Sequence, residues 1–339
     1  MKMKAVLQDR YGRPGDVLRL GDIDKPVAGD DEVLVRVRAA SVHPDVWHVV
    51  TGRPYVLRMM GAGFLKPKNP VPGTDVAGNV ESVGKNVMQF RPGDEVFGES
   101  IKGQQWANGG AFAEYVAVSQ DALALKPKGI SFEQAAAVPT SGLIALNNLQ
   151  NQRSIKPGQS VLVNGAGGGV GSMAVQLAKA FGARVTGVET TRKLDMVRAL
   201  GADQVIDYTQ EDFTRLGERY DLILDVASNL SLSDCKRALT PKGIYVLIGH
   251  DHYGSANGRV FGSLPRFFKL IALSPFISHV PEMTFTVPSR KDTMPVLKEL
   301  LEAGKLTPVI DRTYPLSAVV EALGYLQSGE ACGKIIVTP

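Results

Sequence analysis

Residues 161–171, which read VLVNGAGGGVG, constrain the fold of this chain more than any other segment. An apolar stretch leads into a glycine-rich turn, and a helical pattern follows. Glycines let the backbone approach a ligand closely, and the N–H groups and dipole at the start of a helix attract negative charge. The spacing is G-x-x-G-x-x-G, carried by Gly165, Gly168 and Gly171, and Val170 stands where the stricter G-x-G-x-x-G pattern has its last glycine. We predict that this turn binds the pyrophosphate of a dinucleotide.

A mononucleotide P-loop and a strand-to-helix turn without a ligand are two other interpretations of this segment. The P-loop is excluded because Ser172 follows Gly171 directly, so the closing G-K-[ST] is missing. The ligand-free turn is disfavoured because a second apolar stretch ends in Glu189, at the separation of about 20 residues that dinucleotide-binding folds show.

The residues after this second stretch give conflicting indications of the cofactor. Glu189 is placed to accept hydrogen bonds from a ribose 2′-hydroxyl, which favours NAD. Arg192 and Lys193 are placed to hold the 2′-phosphate of NADP, or else they are solvated residues of the next helix. Taken alone, these residues leave both cofactors open.

Strand patterns and helix patterns alternate between residues 160 and 248. Repeated β-α units of this kind predict a parallel sheet with helices on both faces. The predicted strands are Ser160–Asn164, Ala183–Val188, Gln204–Ile206, Asp221–Asp225 and Ile244–Ile248, and the helices include Gly169–Phe181 and Arg192–Leu200.

The chain before this region reads as short strands between turn signals, with one helix near Asp45–Thr51. The predicted strands are Lys4–Gln8, Val17–Ile23, Glu32–Ala40, Ala77–Val83, Glu95–Phe97 and Phe112–Val118. Ser131 and Gln134 form the pattern of a capping box ahead of a helix. The C-terminal part again resembles the N-terminal region in its pattern, with an amphipathic helix at Thr293–Ala303 and a final strand at Lys334–Val337.

Composition and charge exclude several classes of protein. The 339 residues carry 38 Lys and Arg against 34 Asp and Glu, a net charge of +4 that is too small to predict nucleic-acid binding. The two cysteines, Cys235 and Cys332, are far apart, which excludes a disulfide framework and a cysteine-built zinc site. The N-terminus enters a strand pattern at once, and no apolar run approaches the ~20 residues of a membrane span. We therefore expect a cytoplasmic protein that binds no membrane.

Several motifs, spread over nearly the whole chain, resemble those of the medium-chain dehydrogenase/reductase superfamily, quinone oxidoreductase branch. Besides the glycine loop they are PGTDVAG at 72–78, RPGDEV at 91–96, GAFAEY at 110–115, LGAD at 200–203 and GKIIV at 333–337. The resemblance implies an α/β fold in which a doubly wound Rossmann sheet, residues 125–290, is inserted into a β-rich chaperonin-10-like catalytic domain, residues 1–124 and 291–339. It also implies an active site in the cleft between the domains, and a homodimer.

The resemblance bears on the cofactor as well. Lys193 and Tyr208 match positions at which NADPH-using members contact the 2′-phosphate, whereas Glu189 stands where such enzymes usually have a small residue. With Arg192 as a second cation, the prediction is NADPH rather than NADH, provided that Glu189 turns away. The predicted cofactor contacts are Gly165, Gly167, Gly168, Gly169, Val170, Gly171, Glu189, Thr190, Arg192, Lys193, Tyr208, Thr140 and Lys334.

Zinc-dependent members of the superfamily carry a Cys near the position of His43, a His near Thr74 and another Cys near Val138. Of these three positions only His43 holds a ligand type here, and residues 98–114 contain no Cys to build the structural-zinc lobe. His43 together with Asp75 would supply two ligands, which are too few for zinc. We therefore expect an enzyme without zinc.

Without a metal, the best hydride acceptors are those that delocalise the developing negative charge themselves. Quinones and α,β-unsaturated carbonyls do so, and a hydrogen-bond donor then suffices to stabilise the product. His43 and His48 are the candidate donors, because histidine donates a hydrogen bond or a proton near neutral pH, and packing is the alternative role for each. Asp45 either orients a histidine or caps the helix that begins there.

Residues 55–68 and 253–276 are rich in large apolar side chains and are the predicted pocket walls, with ordinary core or dimer surface as the alternative. The predicted pocket residues are Trp47, Tyr55, Met60, Phe64 and Phe267. Such a pocket suits a small hydrophobic carbonyl or quinone. We predict an NAD(P)H-dependent quinone or enone reductase, and a metal-free alcohol dehydrogenase and a non-catalytic nucleotide-binding scaffold protein stay open as alternatives.

Overall fold

The computed structural model describes residues 1–103, 106–150, 155–249, 260–261, 264–280 and 289–339. The chain divides into two compact units, one formed by Met1–Leu143 with Val287–Pro339 and the other by Ile144–Thr286. The first unit contains a mixed sheet and a two-stranded antiparallel sheet, and the second contains a parallel sheet. The predicted α/β fold with two kinds of sheet is therefore confirmed.

The N-terminal part of the first unit is built mainly from strands. The strands are β1 (Lys2–Gln8), β2 (Leu18–Asp24), β3 (Glu32–Val42), β4 (Asp75–Val83), β5 (Glu95–Glu99), β6 (Tyr115–Ser119) and β7 (Leu123–Leu125), and the helices are α1 (Pro14–Val17), α2 (Pro44–Thr51), α3 (Phe132–Ala136) and α4 (Pro139–Gln150). The strand predicted from Phe112 begins only at Tyr115, because the N–H of the buried Phe112 donates to Pro72 O in a loop.

The capping box predicted at Ser131 is confirmed. Its Oγ accepts the N–H of Gln134 at 3.2 Å, and Gln134 Oε1 accepts the N–H of Ser131 at 2.9 Å. Helix α3 packs against β3 and β4, and the N–H of Thr140 in α4 donates to Asp75 on β4. Through these contacts the first unit extends to Leu143, whereas the sequence analysis predicts the domain boundary at residue 124.

The second unit alternates strands and helices as predicted. Its strands are β8 (Ser160–Asn164), β9 (Arg184–Glu189), β10 (Gln204–Asp207), β11 (Tyr220–Asp225) and β12 (Leu239–Leu247), and its helices are α5 (Gly169–Ala180), α6 (Leu194–Ala199), α7 (Leu232–Arg237) and α8 (Leu264–Leu273). Every residue of β8 is buried, so its apolar run shows no alternation.

The strand order of this parallel sheet is β10-β9-β8-β11-β12. The chain runs from β8 outward through β9 and β10, and then crosses to the other side of β8 to form β11 and β12. Reversal of direction beside the first strand creates a switch point, where a crevice opens at the carboxyl ends of β8 and β11. The glycine loop follows β8 directly, so it lies at this crevice.

The C-terminal part of the chain completes the first unit with α9 (Arg290–Glu302), β13 (Ile310–Pro315), α10 (Val319–Gln327) and β14 (Lys334–Thr338). The order of the mixed sheet is β13-β14-β3-β4-β5-β7, and β6 also pairs with β3. Ser41 near the end of β3 lies opposite Ile336 on one side and opposite Asp75 on the other. This register brings the start of β14, the end of β3 and the start of β4 together.

Candidate active site

The glycine loop makes a tight turn that two of its glycines require. Gly165 has a φ of +85°, in the left-handed region that side chains other than glycine rarely adopt. At Gly171 a Cβ would lie 2.0 Å from the carbonyl oxygen of Gly165, so the first turn of α5 packs directly on the loop. These two positions therefore fix the shape of the turn.

Gly168 differs from these two glycines because it borders open space. It is the N-cap of α5, with φ −85° and ψ 178°, and a Cβ there would meet only Gly165 O at 3.7 Å. The N–H groups of Gly169 and Val170 open the helix and have no carbonyl one turn earlier to bond within it. The open side of Gly168 and these donors form a cradle that suits a pyrophosphate.

Glu189, at the end of β9, lies against this loop. Its Oε2 accepts the N–H of Gly167 at 2.9 Å, and its Oε1 accepts the N–H of Thr190 at 3.0 Å. The side chain is buried. The contact to a ribose stays a prediction, but the two backbone contacts give Glu189 a role in shaping the loop that the sequence pattern did not indicate.

The other residues predicted to select the cofactor surround Glu189. Lys193 is buried, and its Cδ would lie 2.8 Å from a Cβ placed on Gly167, so its methylenes cross the loop. Tyr208 is half exposed and its N–H donates to Glu189 O at 3.2 Å. Partial burial and the charges of Glu189 and Asp207 raise the pKa of the Tyr208 phenol.

Thr190 adds a buried hydroxyl to this group. Its Oγ1 has no hydrogen-bond partner within the described part of the chain. Arg192, an exposed residue of the 3₁₀ turn that follows, is the other cation here. Because buried polar atoms are nearly always hydrogen-bonded, the orphaned Thr190 Oγ1 suits a ligand oxygen at this end of β9.

The switch point contains a buried polar group that sequence reasoning missed. Asn164 ends β8 and donates to Oδ1 of Asp225, the last residue of β11, at 2.8 Å. Tyr245 OH donates to Asp225 Oδ2 at 2.6 Å, and Arg266 donates to that hydroxyl at 2.7 Å. Burial raises the pKa of Asp225. The signal in the sequence was a polar residue ending each of two apolar strands, which places both at the crevice.

Of the two candidate histidines in the first unit, His43 presents a free donor. It is the N-cap of α2, where Nδ1 accepts the N–H of Asp45 at 3.3 Å, and the Asp45 carboxylate lies 3.5 Å from the same nitrogen. The neutral ring therefore carries its proton on Nε2, since an N–H at Nδ1 would face the N–H of Asp45. Nε2 is buried without a hydrogen-bond partner among the described residues.

His48 has the opposite arrangement. Its Nδ1 lies 2.8 Å from the carbonyl oxygen of Arg53, so Nδ1 donates and the neutral ring leaves Nε2 as an acceptor. The ring contacts Trp47 and Trp106 edge to face, at centroid distances of 5.2 Å and 6.0 Å. His48 therefore fits the packing role better, and His43 fits the donor role.

Asp75 is the centre of the polar cluster beside His43. Ser41 Oγ donates to its Oδ2 at 2.5 Å, and Thr140 donates to its Oδ1 through both N–H and hydroxyl, at 3.0 and 2.5 Å. Lys334 Nζ lies 3.3 Å from Oδ2. Burial lowers the pKa of the Lys334 ammonium, and the Asp75 carboxylate opposes that shift. Thr140 and Lys334, predicted as cofactor contacts, are thus joined to Asp75 in this structure.

Glu99 and Arg290 extend this cluster, and the sequence patterns pointed to neither. Glu99 Oε1 lies 2.7 Å from Thr140 Oγ1, and Glu99 Oε2 accepts a hydrogen bond from Arg290 Nε at the start of α9. Within the described ranges, the buried hydroxyls of Thr74 and Ser141, each next in sequence to a member of the cluster, have no hydrogen-bond partner. The cluster therefore adjoins buried polar atoms that a substrate oxygen or water could satisfy.

The predicted pocket residues are divided between the two units. Tyr55, Met60 and Phe64 lie in one segment of the first unit, where Tyr55 stacks on Arg58 and Phe64 is 70 % exposed. Trp47 is buried in α2, and its Nε1 donates to Gln327 at 3.3 Å. Phe267 belongs to the second unit, where it packs against the core cluster of that unit, as the alternative interpretation expects. Part of the second predicted wall, residues 253–259, lies outside the described residues.

The donor set does not suit zinc. Across the described ranges, no group of three or more His, Cys, Asp or Glu side chains is placed to hold a metal ion. The positions that zinc-dependent members use are occupied by His43, Thr74 and Val138, and the Asp75 carboxylate is taken up by Ser41, Thr140 and Lys334.

A parallel unit with a glycine loop at its switch point, joined in the chain to a mixed-sheet unit, is the architecture of a nicotinamide-dependent oxidoreductase. Residues 29–128 match the family described as "Alcohol dehydrogenase GroES-like domain", and residues 200–337 match the family described as "Zinc-binding dehydrogenase". The chain belongs to the medium-chain dehydrogenase/reductase superfamily, in its quinone oxidoreductase-like branch.

Two plant proteins and one solved structure illustrate the similarity. The 2-methylene-furan-3-one reductase of Solanum lycopersicum is 34% identical over 350 residues, which cover 100% of this chain and 79% of that protein. The chloroplastic NADPH-dependent alkenal/one oxidoreductase of Arabidopsis thaliana is 34% identical, with 100% and 80% covered. The quinone oxidoreductase structure from Coxiella burnetii superposes with a TM-score of 0.82 at 29% identity, covering 100% of both chains.

We expect Gly168→Val to abolish dinucleotide binding and to leave the fold nearly unchanged. An added Cβ would meet only Gly165 O, at 3.7 Å, so the fold tolerates the side chain. The side chain would nevertheless block the approach of a pyrophosphate to the backbone. Calorimetric titration with NADPH and NADH, together with thermal unfolding, measures both effects. As a matched control, Gly324→Val in α10, where nothing lies within 4 Å of an added Cβ, should keep wild-type affinity; unchanged affinity in a folded Gly168→Val protein would place the dinucleotide elsewhere.

Proposed function

We propose that this protein reduces a small hydrophobic quinone or α,β-unsaturated carbonyl with NAD(P)H, without a metal. The observation that carries the proposal is the glycine loop with its open cradle at Gly168, which Glu189 joins to the segment that contains the orphaned hydroxyl of Thr190. Similarity to an alkenal/one oxidoreductase and to a quinone oxidoreductase supports the same conclusion.

The residues of the second unit fit a nicotinamide dinucleotide. The cradle at Gly168 and the start of α5 would hold the pyrophosphate, and Thr190, Lys193 and Tyr208 would hold the adenosine ribose or its 2′-phosphate. The bound cofactor supplies the hydride. The protein would bind and orient it, because Glu189 holds the loop in shape by accepting the Gly167 N–H.

In the first unit His43 is the proposed donor to the substrate oxygen. Hydride addition to an enone or quinone places negative charge on that oxygen, and a preorganised N–H in a dry site stabilises it. The backbone contact, in which Nδ1 accepts the N–H of Asp45, favours the proton on Nε2. His43 therefore combines a fixed orientation with an available proton.

The donor set that the chain offers does not support a catalytic zinc ion. Of the three positions that zinc-dependent members use, only His43 carries a ligand type, and with Asp75 it would supply two ligands, which are too few for zinc. An acceptor that delocalises its own charge needs less stabilisation than a simple ketone, so quinones and enones are preferred over unactivated aldehydes.

Steady-state assays with NADPH and NADH against quinones, enals and simple aldehydes, each with and without a chelator, test the proposal. We expect turnover with quinones or enals that the chelator leaves intact, and no stoichiometric zinc by elemental analysis. Turnover confined to simple alcohols and aldehydes would favour an alcohol dehydrogenase. Cofactor binding without turnover on any substrate would favour a scaffold protein.

We further propose a reducing compartment such as the cytoplasm, and a homodimer. Both cysteines are free thiols, and burial raises the pKa of Cys235 to about 12, which keeps it unreactive. Within the described ranges no helix is long and apolar enough to cross a membrane. Light scattering on the purified protein measures the oligomeric state.

For the cofactor we expect NADPH to bind more tightly than NADH. Lys193→Ala should lower the affinity for NADPH at least several-fold and leave the affinity for NADH nearly unchanged, because a charge-assisted bond to the 2′-phosphate is lost. Glu189→Gln should instead lower the affinity for both cofactors, since it replaces the carboxylate that accepts the N–H groups of Gly167 and Thr190. Arg198→Ala, on the exposed side of α6, is the matched control. Equal effects of Lys193→Ala on both cofactors would remove the lysine from the phosphate site.

For His43 we expect His43→Leu to lower kcat by about 10²–10³, the usual loss for one oxyanion donor, with the KM for NADPH unchanged. His43→Gln, which retains an N–H, should lose less. His48→Gln is the comparison in the same helix, and it should reduce stability more than kcat because Nδ1 of His48 bonds the Arg53 carbonyl. If the two histidine variants lost activity to the same extent, His43 would have no special role as donor.

A further inference from the structure

The polar cluster around Thr140 has one proton too few for its hydrogen bonds if both of its carboxyl groups are ionised. A threonine hydroxyl has a single proton to donate. Thr140 Oγ1 nevertheless lies 2.5 Å from Asp75 Oδ1 and 2.7 Å from Glu99 Oε1, both within hydrogen-bond distance of oxygen acceptors. All three side chains are buried, so water does not separate them. One of the two carboxyl groups must supply the second proton.

The donors around Asp75 identify it as the ionised partner. It accepts from Ser41 Oγ and from Thr140 N–H at the start of α4, and Lys334 Nζ faces its Oδ2 at 3.3 Å. A helix N-terminus and an ammonium both favour the negative charge. The hydroxyl proton of Thr140 is therefore directed to Asp75, where the contact is also shorter.

Glu99 has a different environment. Its Oε2 accepts a hydrogen bond from Arg290 Nε on α9, and among the described residues its Oε1 is hydrogen-bonded to Thr140 Oγ1, which now acts as the acceptor. A neutral acid satisfies both contacts, since its carbonyl oxygen accepts and its O–H donates. Burial raises the pKa of Glu99, Arg290 opposes this shift, and the negative charge of Asp75 adds to it.

We propose that the buried Glu99 side chain is a proton-binding site and is an uncharged carboxylic acid at neutral pH. Its O–H donates to the Thr140 hydroxyl, which in turn donates to the Asp75 carboxylate. These hydrogen bonds join β5, α4 and β4, and they fasten the first turn of α4 to the sheet. This inference concerns the first unit alone and does not rest on the proposed function. Loss of the Glu99 proton leaves two carboxylates facing one hydroxyl proton, which loosens α4.

Infrared spectroscopy detects the proton directly, through the carbonyl stretch of a neutral carboxylic acid. We expect wild-type protein at neutral pH to show a band that Glu99→Gln lacks and that the matched control Glu95→Gln, half exposed on the same strand, retains. Comparison with Glu99→Gln separates this band from any due to Asp225, another buried carboxyl group with a raised pKa. Identical neutral-acid spectra for wild type and folded Glu99→Gln would overturn the proposal.

The pH dependence of unfolding gives a second measurement. The folded pKa of Glu99 lies above the ordinary value of 4.5, so the native state binds the proton more tightly and stability falls as pH rises between the two values. In this window the unfolding equilibrium constant of the wild type should rise by up to about tenfold per pH unit relative to Glu99→Gln. Parallel pH profiles would mean that Glu99 is ionised in both states and would contradict the proposal.

Thr140→Val keeps the test valid if Glu99→Gln does not fold. The isosteric valine removes the acceptor of the acid proton, so the Glu99 carbonyl band should shift in frequency. A band unchanged in folded Thr140→Val would show that the acid does not donate to Thr140.

Discussion

The Asp75 carboxylate holds the first unit together where distant segments of the chain meet. Its partners Ser41, Thr140 and Lys334 are 34, 65 and 259 positions away in sequence, so each contact closes a long loop against its entropy. A buried carboxylate without donors would cost several kcal/mol. Because Ser41 is two residues before His43 and Thr140 lies in the first turn of α4, the placement of both the candidate donor and this helix depends on one side chain.

The second unit could be predicted closely from the sequence, since its signals are local. The bounds of β8 are as predicted, α5 ends one residue earlier than predicted, and β9 begins and ends one residue later, because strands and helices each have their own sequence period. The prediction that Glu189 and Lys193 lie at one strand end near the loop followed from the order of elements, whereas Tyr208 was predicted from the family resemblance. Asp225 was missed because its meaning depends on strand order, which the local pattern does not contain.

The polar cluster of the first unit could not be predicted in this way. Glu99 and Arg290 are 191 positions apart, and each is a single charged residue without a local pattern. His43 and His48 look equivalent in sequence, and only their backbone partners, the Asp45 N–H and the Arg53 carbonyl, separate their tautomers. Such contacts are set by the path of the main chain around α2, which side-chain patterns do not specify.

The bond between Glu189 and Gly167 bears on the redesign of cofactor choice. Changes of preference between NADH and NADPH are commonly sought at the end of the second Rossmann strand, as if that residue could be exchanged independently of the rest. In this protein the same carboxylate supports the pyrophosphate turn 22 positions earlier. An exchange at 189 therefore has to be accompanied by a new acceptor for the Gly167 N–H, so the two segments have to be transplanted between relatives as a pair.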